Sequence, residues 1–247
     1  MNQMRFLLTV SYDGTGYCGW QRQINAVSVQ ERMEEALKSV FHQDIRTTAA
    51  SRTDAGVHAL GQRVCFDLDT CRIPADRIPL VLNSYLPEDI AVTAIEIVGD
   101  HFSPRFRAKE KTYHYQIWHD KYPNPLIRRT SLFFPYPLEA GVMGEAGKAL
   151  EGKRDFAAFC ASGSAAATTV REIYECSVQT DGPMITIAVR GNAFLYNMVR
   201  ILAGTLILAG QRKITLPELP RILDSCDRGR AGPTMPPHGL TLIGIKY

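Results

Sequence analysis

The sequence lacks most of the patterns that mark a bound metal, a disulfide scaffold or a membrane anchor. Its six cysteines, at positions 18, 65, 71, 160, 176 and 226, include no C-x-x-C pair, which argues against zinc held by paired thiolates. Six cysteines in 247 residues are also too sparse for the disulfide frameworks of small secreted domains. The histidines show no metal-ligand spacing, and no G-x-S-x-G, Walker or Cys/His pattern occurs. The apolar run within "MNQMRFLLTVSYDG" is too short for a signal peptide and reads as a strand. The longest apolar window, "AFLYNMVRILAGTLILAG" at 193–210, carries Asn197 and Arg200 in its interior, and a membrane span rarely holds an arginine there. A soluble, cytoplasmic chain in a reducing compartment, without metal or membrane, is the expectation.

There is little net charge either, +3 in all, too small to demand a nucleic-acid partner. Its placement says more. Residues 104–130 hold Arg105, Arg107, Lys109, Lys111, Lys121, Arg128 and Arg129 against only Glu110 and Asp120, with Phe106, Tyr113, Tyr115, Trp118 and Tyr122 interleaved. Basic side chains neutralise phosphates and aromatic rings stack on bases. A solvated charged face above core aromatics has the same composition, and both readings stay open. An apolar content of 45% supplies a sizeable core for one large domain or two small ones.

Residues 5–12 alternate, with Phe6, Leu8, Val10 and Tyr12 on one side of a strand. Ser28 and Glu31 form a capping box ahead of an apolar stripe, Val29, Met33, Ala36, Leu37, Val40 and Phe41, that predicts a helix over 28–42. A strand at 44–51, one around 64–68, a helix within 74–86 limited by Pro79, and a strand at 89–98 complete a β-α-β-β-α-β order, the split pattern of ferredoxin-like folds. The second half repeats it with a strand at 110–119, a helix at 138–151, strands at 170–180 and 183–190 around the "TDGP" turn, helices at 193–209 and 216–226, and a last strand "LTLIGIKY". The predicted class is α+β, with two ferredoxin-like half-domains of antiparallel sheet, residues 1–107 and 108–247, and a basic cleft between them.

Four features carry possible chemistry. In "SRTDAGVHALGQ" (51–62) a single carboxylate, Asp54, sits in a glycine-bounded loop beside Arg52. An ordinary Asp turn or a weak surface ion pair explains it as well as a reactive group does. "GTGYCG" at 14–19 matches G-x-G-x-x-G, but "WQRQINAV" separates it from the helix start, whereas a dinucleotide site needs the helix to open inside the motif. The alternative is a glycine-rich loop lying against a partner or the other domain. Arg200 lies among Phe194, Leu195, Met198, Val199, Ile201, Leu202 and Leu206. It either snorkels to a nearby surface or reaches an acid, of which Asp54 is a candidate. Tyr113 and Tyr115 share a strand face, which suits core packing or a base pocket.

Together, "YDGTGYCGWQRQ", "SRTDAGVHALGQ", "FSPRFRAKEKTYHY", "FLYNMVRILAG" and "GLTLIGIKY" resemble the tRNA pseudouridine synthase A (TruA) family, in order and in register from about residue 5 to 247. The resemblance implies two ferredoxin-like halves, usually paired in a homodimer. It also implies isomerisation of uridine to pseudouridine in the anticodon stem-loop of tRNA, at tRNA positions 38, 39 and 40, with no cofactor. By motif position it makes Asp54 the catalytic aspartate, Tyr113 the tyrosine under the base, Arg200 the arginine paired with the carboxylate, and Arg52 a residue that helps extrude the target nucleotide. Ser51 departs from the family, which usually has Gly there; a small residue remains, so little effect is expected, although a Cβ is able to restrict the loop. Two rival classes are a non-catalytic RNA-binding module and a nucleotide-dependent enzyme using "GTGYCG".

Overall fold

The computed structural model describes residues 4–247. It is a mixed α+β protein whose chain divides into two compact units. The first comprises the residues up to Lys109 together with Leu242–Tyr247, and the second Glu110–Thr241.

The first unit is built on strands β1 (Met4–Tyr12), β3 (His58–Leu68) and β4 (Ile90–Val98), with helices α1 (Val29–Phe41) and α2 (Ile78–Asn83). β1 is the middle strand of the three, and both neighbours run antiparallel to it. Phe6, Leu8, Val10 and Tyr12 are all buried as predicted; Leu7 on the other face is buried as well, so the alternation is clean only from Leu8 onward. Phe6 stacks on Phe66 of β3 at 5.1 Å, and Phe41 at the end of α1 meets the same ring at 6.0 Å. The Ser28 hydroxyl caps α1 by accepting from the Glu31 N–H, as the capping box requires. Pro79 sits in the first turn of α2, where its missing N–H costs nothing.

The second strand is shorter than expected. Only Thr48–Ala49, β2, pairs with β3. On either side, side chains take the backbone groups that a ladder would use. The Thr47 N–H donates to Glu34 and the Ser51 N–H to Gln62.

The second unit has strands β5 (Glu110–Trp118), β7 (Gly152–Asp155), β8 (Val170–Asp181) and β9 (Met184–Gly191), in the order β5-β9-β8-β7. A two-residue strand, β6 (Leu132–Phe133), runs parallel to β5. Neither β6 nor β7 shows an apolar alternation, so periodicity missed both. Helix α3 (Ala140–Ala149) lies so close to β8 that a Cβ on Gly147 would stand 2.5 Å from the Cys176 carbonyl oxygen. Helix α4 (Met198–Gly210) is buried on most sides, and α5 (Glu218–Ser225) covers the core with Leu219, Ile222 and Leu223. The helix predicted from 193 starts only at Met198. Asn192 is tied to Glu172 by two hydrogen bonds and the Tyr196 carbonyl accepts from Ala161, which fixes 192–196 outside the helix. Asn197 then turns the chain through φ +59°. The last strand, β10 (Leu240–Lys246), begins in the second unit and ends in the first.

Candidate active site

Asp54 follows the buried residues Ser51 and Thr53 and precedes a tight turn at Ala55–Gly56, closed by the Val57 N–H on the Asp54 carbonyl at 3.1 Å. Gly56 takes φ +75°, a conformation for which glycine is the natural choice. The Asp54 side chain is half-buried, Arg52 is exposed, and Val57 and His58 are buried again as β3 begins. The backbone on both sides of the carboxylate is thus fixed while the carboxylate itself is reachable.

The "GTGYCG" loop does the fixing. The Gly56 N–H donates to the Tyr17 carbonyl, and the Trp20 N–H to the Thr53 carbonyl. The Gly14 N–H donates to Nδ1 of His58 at 3.0 Å. A Cβ on Gly14 would stand 2.1 Å from the Val57 carbonyl oxygen. One on Gly19, whose φ is +87°, would stand 2.5 Å from that of Thr53. The glycines of 14–19 therefore serve backbone-to-backbone contact with the acid loop. No parallel βαβ unit surrounds them, because both neighbours of β1 are antiparallel and α1 opens ten residues after Gly19, at Val29.

Hydroxyls and amides complete the frame. Tyr12 and Thr53 share a hydrogen bond of 2.7 Å. The Tyr17 hydroxyl donates to Asp89 at 2.6 Å, and burial together with that bond raises its pKa well above the ordinary phenol value. Gln62 is fully buried, and its amide both donates to the Ser51 carbonyl and accepts from the Ser51 N–H. Ser51 is absent from the positive-φ residues, so its Cβ imposes no backbone strain.

Sequence reasoning overlooked Glu34, a carboxylate at the edge of the apolar stripe of α1. Its side chain is only 5% exposed. It accepts from Arg22 and Arg46 at 3.2 Å each, from Gln30, and from both the N–H and the hydroxyl of Thr47. An acid one position from Met33 was the only signal available. Glu34 anchors the strand that leads into the acid loop. Glu34→Ala is expected to destabilise the protein by about 1–3 kcal/mol, because the buried Thr47 N–H loses its acceptor. Arg22 and Arg46 rehydrate with little loss. Glu34→Gln retains an acceptor and should lose less. Equal urea midpoints for wild type and Glu34→Ala would refute the anchoring role.

The other two expected site residues belong to the second unit. Tyr113 on β5 is 6% exposed and meets the edge of Phe194 at 5.3 Å. Its neighbour on the same face, Tyr115, is wholly buried and donates its hydroxyl to the Pro236 carbonyl at 2.9 Å. Tyr115 is therefore a core residue. Arg200 is half-buried, donating through Nε to the Met235 carbonyl and through a terminal nitrogen to the Asn197 amide oxygen, both at 2.6 Å. The guanidinium is held in place by these acceptors, not extended freely into solvent. Among the described residues no group of histidine, cysteine and acidic side chains is arranged to hold a metal, and no helix is long and apolar enough to cross a membrane.

The sequence matches the tRNA pseudouridine synthase family model over residues 8–107 and 146–247. Arg52, Asp54 and Arg200 fall inside those ranges and Tyr113 between them. A tRNA pseudouridine synthase A from Thermoanaerobacter sp. is 45% identical over 241 residues, 98% of each chain. Proteins of the same name from Caldicellulosiruptor bescii and Ruminiclostridium cellulolyticum are 42% and 44% identical, each over 242 residues. They cover 98% and 97% of this chain, and 98% of each relative. The match extends across the framed acid loop and both units, and the chain belongs to the tRNA pseudouridine synthase family.

Proposed function

We propose that this protein isomerises uridine to pseudouridine in the anticodon stem-loop of tRNA, at tRNA positions 38, 39 and 40, with Asp54 as the catalytic carboxylate. The observation that carries the reading is the setting of Asp54. It is a half-buried acid on a loop clamped by backbone hydrogen bonds to the "GTGYCG" segment, in a chain of this family. A pure RNA-binding module gains nothing from a fixed carboxylate near phosphates.

The reaction breaks the N1–C1′ bond, turns the uracil, and joins C5 to C1′. C5 loses a proton and N1 gains one. The product is an isomer of the substrate, so no electron or group is supplied from outside, and the chemistry calls for no cofactor or metal. A uridine in a stem must first be unstacked and flipped, and Arg52 assists that extrusion. Asp54 has three routes: attack on the sugar, attack on the base, or removal of a sugar proton. Each needs it ionised, and a guanidinium favours the ionised form. Arg200 takes that role in this reading, and Tyr113 stacks on the uracil while it rotates. In this reading Arg52 and Asp54 come from the first unit, Tyr113 and Arg200 from the second, each unit is a ferredoxin-like half, and the enzyme works as a cytoplasmic homodimer.

An unmodified tRNA transcript incubated with the protein, derivatised with carbodiimide and read by primer extension, should show new stops one nucleotide 3′ of positions 38–40, which mark pseudouridine at those positions. No stops, or stops only elsewhere in the tRNA, would overturn the assignment. The role of Arg200 has its own test. Arg200→Met and Asp54→Leu should affect denaturant unfolding non-additively, with a coupling of about 0.5–3 kcal/mol. Strictly additive losses would assign Arg200 to another acceptor.

A further inference from the structure

A cavity of about 190 Å³ lies within the first unit, walled by Trp20, Gln21, Gln30, Thr47, Arg52 and Arg105 among others. At about 30 Å³ per water it holds roughly six waters, room for a phosphate group with its ester oxygens. Its inner wall is rigid. Trp20 is 2% exposed, and its backbone is bonded on both sides, to Thr53 and to Gln30. The Gln30 side-chain amide donates to Glu34 and to the Thr47 carbonyl and accepts from the Arg22 N–H.

The outer wall carries two arginines and no acid. Arg52 and Arg105 are both exposed. Among the described residues neither has a carboxylate partner, and Arg105 only stacks on the exposed ring of Phe106, 5.6 Å away. Two guanidiniums at one cavity without an acid repel each other, and an anion between them removes that repulsion. The planar guanidinium fork fits phosphate oxygens two at a time. The Gln30 amide in the wall is already engaged by Arg22, Glu34 and Thr47, and beside the Gln21 amide the two guanidiniums are the strongest recognition groups the cavity presents.

We propose that this cavity is a phosphodiester subsite in which Arg52 and Arg105 grip the RNA backbone beside the reacting uridine. Arg52 is two residues from Asp54, at most about 7 Å of chain, so the phosphate held is at or next to the target nucleotide. The inference rests on the tRNA-isomerase reading and adds to it where the strand is held.

The test is binding of an anticodon stem-loop RNA by fluorescence anisotropy, in an Asp54→Asn background so that no turnover intervenes. Single neutral methylphosphonates are walked along the RNA. One position should weaken binding to the parent several-fold and have a much smaller effect on the Arg105→Gln variant, in which Arg52 alone still holds that phosphate. The slope of log affinity against log salt should fall by about 0.7–0.9 in Arg105→Gln, so that between 50 and 200 mM salt it loses about threefold less affinity than the parent. Arg105→Lys keeps one charge and should keep the slope. An unchanged slope in Arg105→Gln, or methylphosphonate effects that all persist in it at full size, would overturn the proposal. So would an abasic nucleotide, instead of a neutral phosphate, being the change whose effect shrinks in Arg105→Gln. Those results leave the isomerase reading intact, because that reading is judged by the primer-extension stops. Absence of RNA binding in the parent would overturn both.

Discussion

Replacing Asp54 by Asn is expected to abolish isomerisation and to leave tRNA binding nearly unchanged. The substitution keeps the size of the side chain and removes its charge. All three routes open to the acid need an anion, so nothing at that position can replace it. Removing the reactive group of a preorganised site costs on the order of four to six decades in kcat. Binding of the RNA rests instead on phosphate contacts, which dominate affinity for nucleic acids, and on stacking. The loop backbone is held by Tyr17 and Trp20 through main-chain groups, so the Asn variant should keep the loop's shape. A gel shift with unmodified tRNA should give affinities within about threefold of each other, a margin of less than about 1 kcal/mol. Loss of binding in parallel with loss of turnover would make Asp54 a structural residue of the loop.

The second large effect is expected at Gly19. Alanine there must adopt φ +87° and place its Cβ 2.5 Å from the Thr53 carbonyl oxygen and 3.1 Å from the Asp54 carbonyl carbon. Strain of that kind costs roughly 1–3 kcal/mol, and the neighbouring atoms are backbone, which cannot swing aside. The peptide carrying Asp54 has to move. A displacement of about 1 Å at a reacting group is enough for a loss on the order of a hundredfold in rate. Gly16→Ala is the control. It lies in the same motif, has no positive φ, and has nothing within 4 Å of the added Cβ. Thermal unfolding and turnover should separate the two, with Gly16→Ala near wild type and Gly19→Ala impaired in both. Equal behaviour would mean that the close approach of the two loops does not fix the acid.

Much of this was legible in the sequence, for physical reasons that vary by element. The alternation of Phe6, Leu8, Val10 and Tyr12 and the stripe of α1 report burial directly, and both elements stand where the pattern put them. The strand expected over 44–51 shrank to two residues, because Glu34 and Gln62 claim the amides around it. Periodicity is blind to that competition between side chain and ladder. The start of α4 was misplaced for a related reason: apolar content continues through 193–197, but the Asn192 bonds and the left-handed Asn197 do not allow a helix there. At the site, the loop around Asp54 was conspicuous as an acid among small residues. What holds it was not, since "GTGYCG" matches a dinucleotide motif in its letters and acts here through contacts with Val57, Thr53 and Gly56. Pairings between segments some forty residues apart leave no local pattern to read.

The central claim, that Asp54 performs uridine isomerisation, is tested most directly by tritium release. Bulk tRNA carrying uridine tritiated at C5 loses its label only when C5 is joined to C1′ and its proton departs. Wild type and Asp54→Asn should be assayed side by side, at protein concentrations where both bind the tRNA. The account predicts release by the wild type and none above background by the Asn variant. Substantial release by the Asn variant would contradict it.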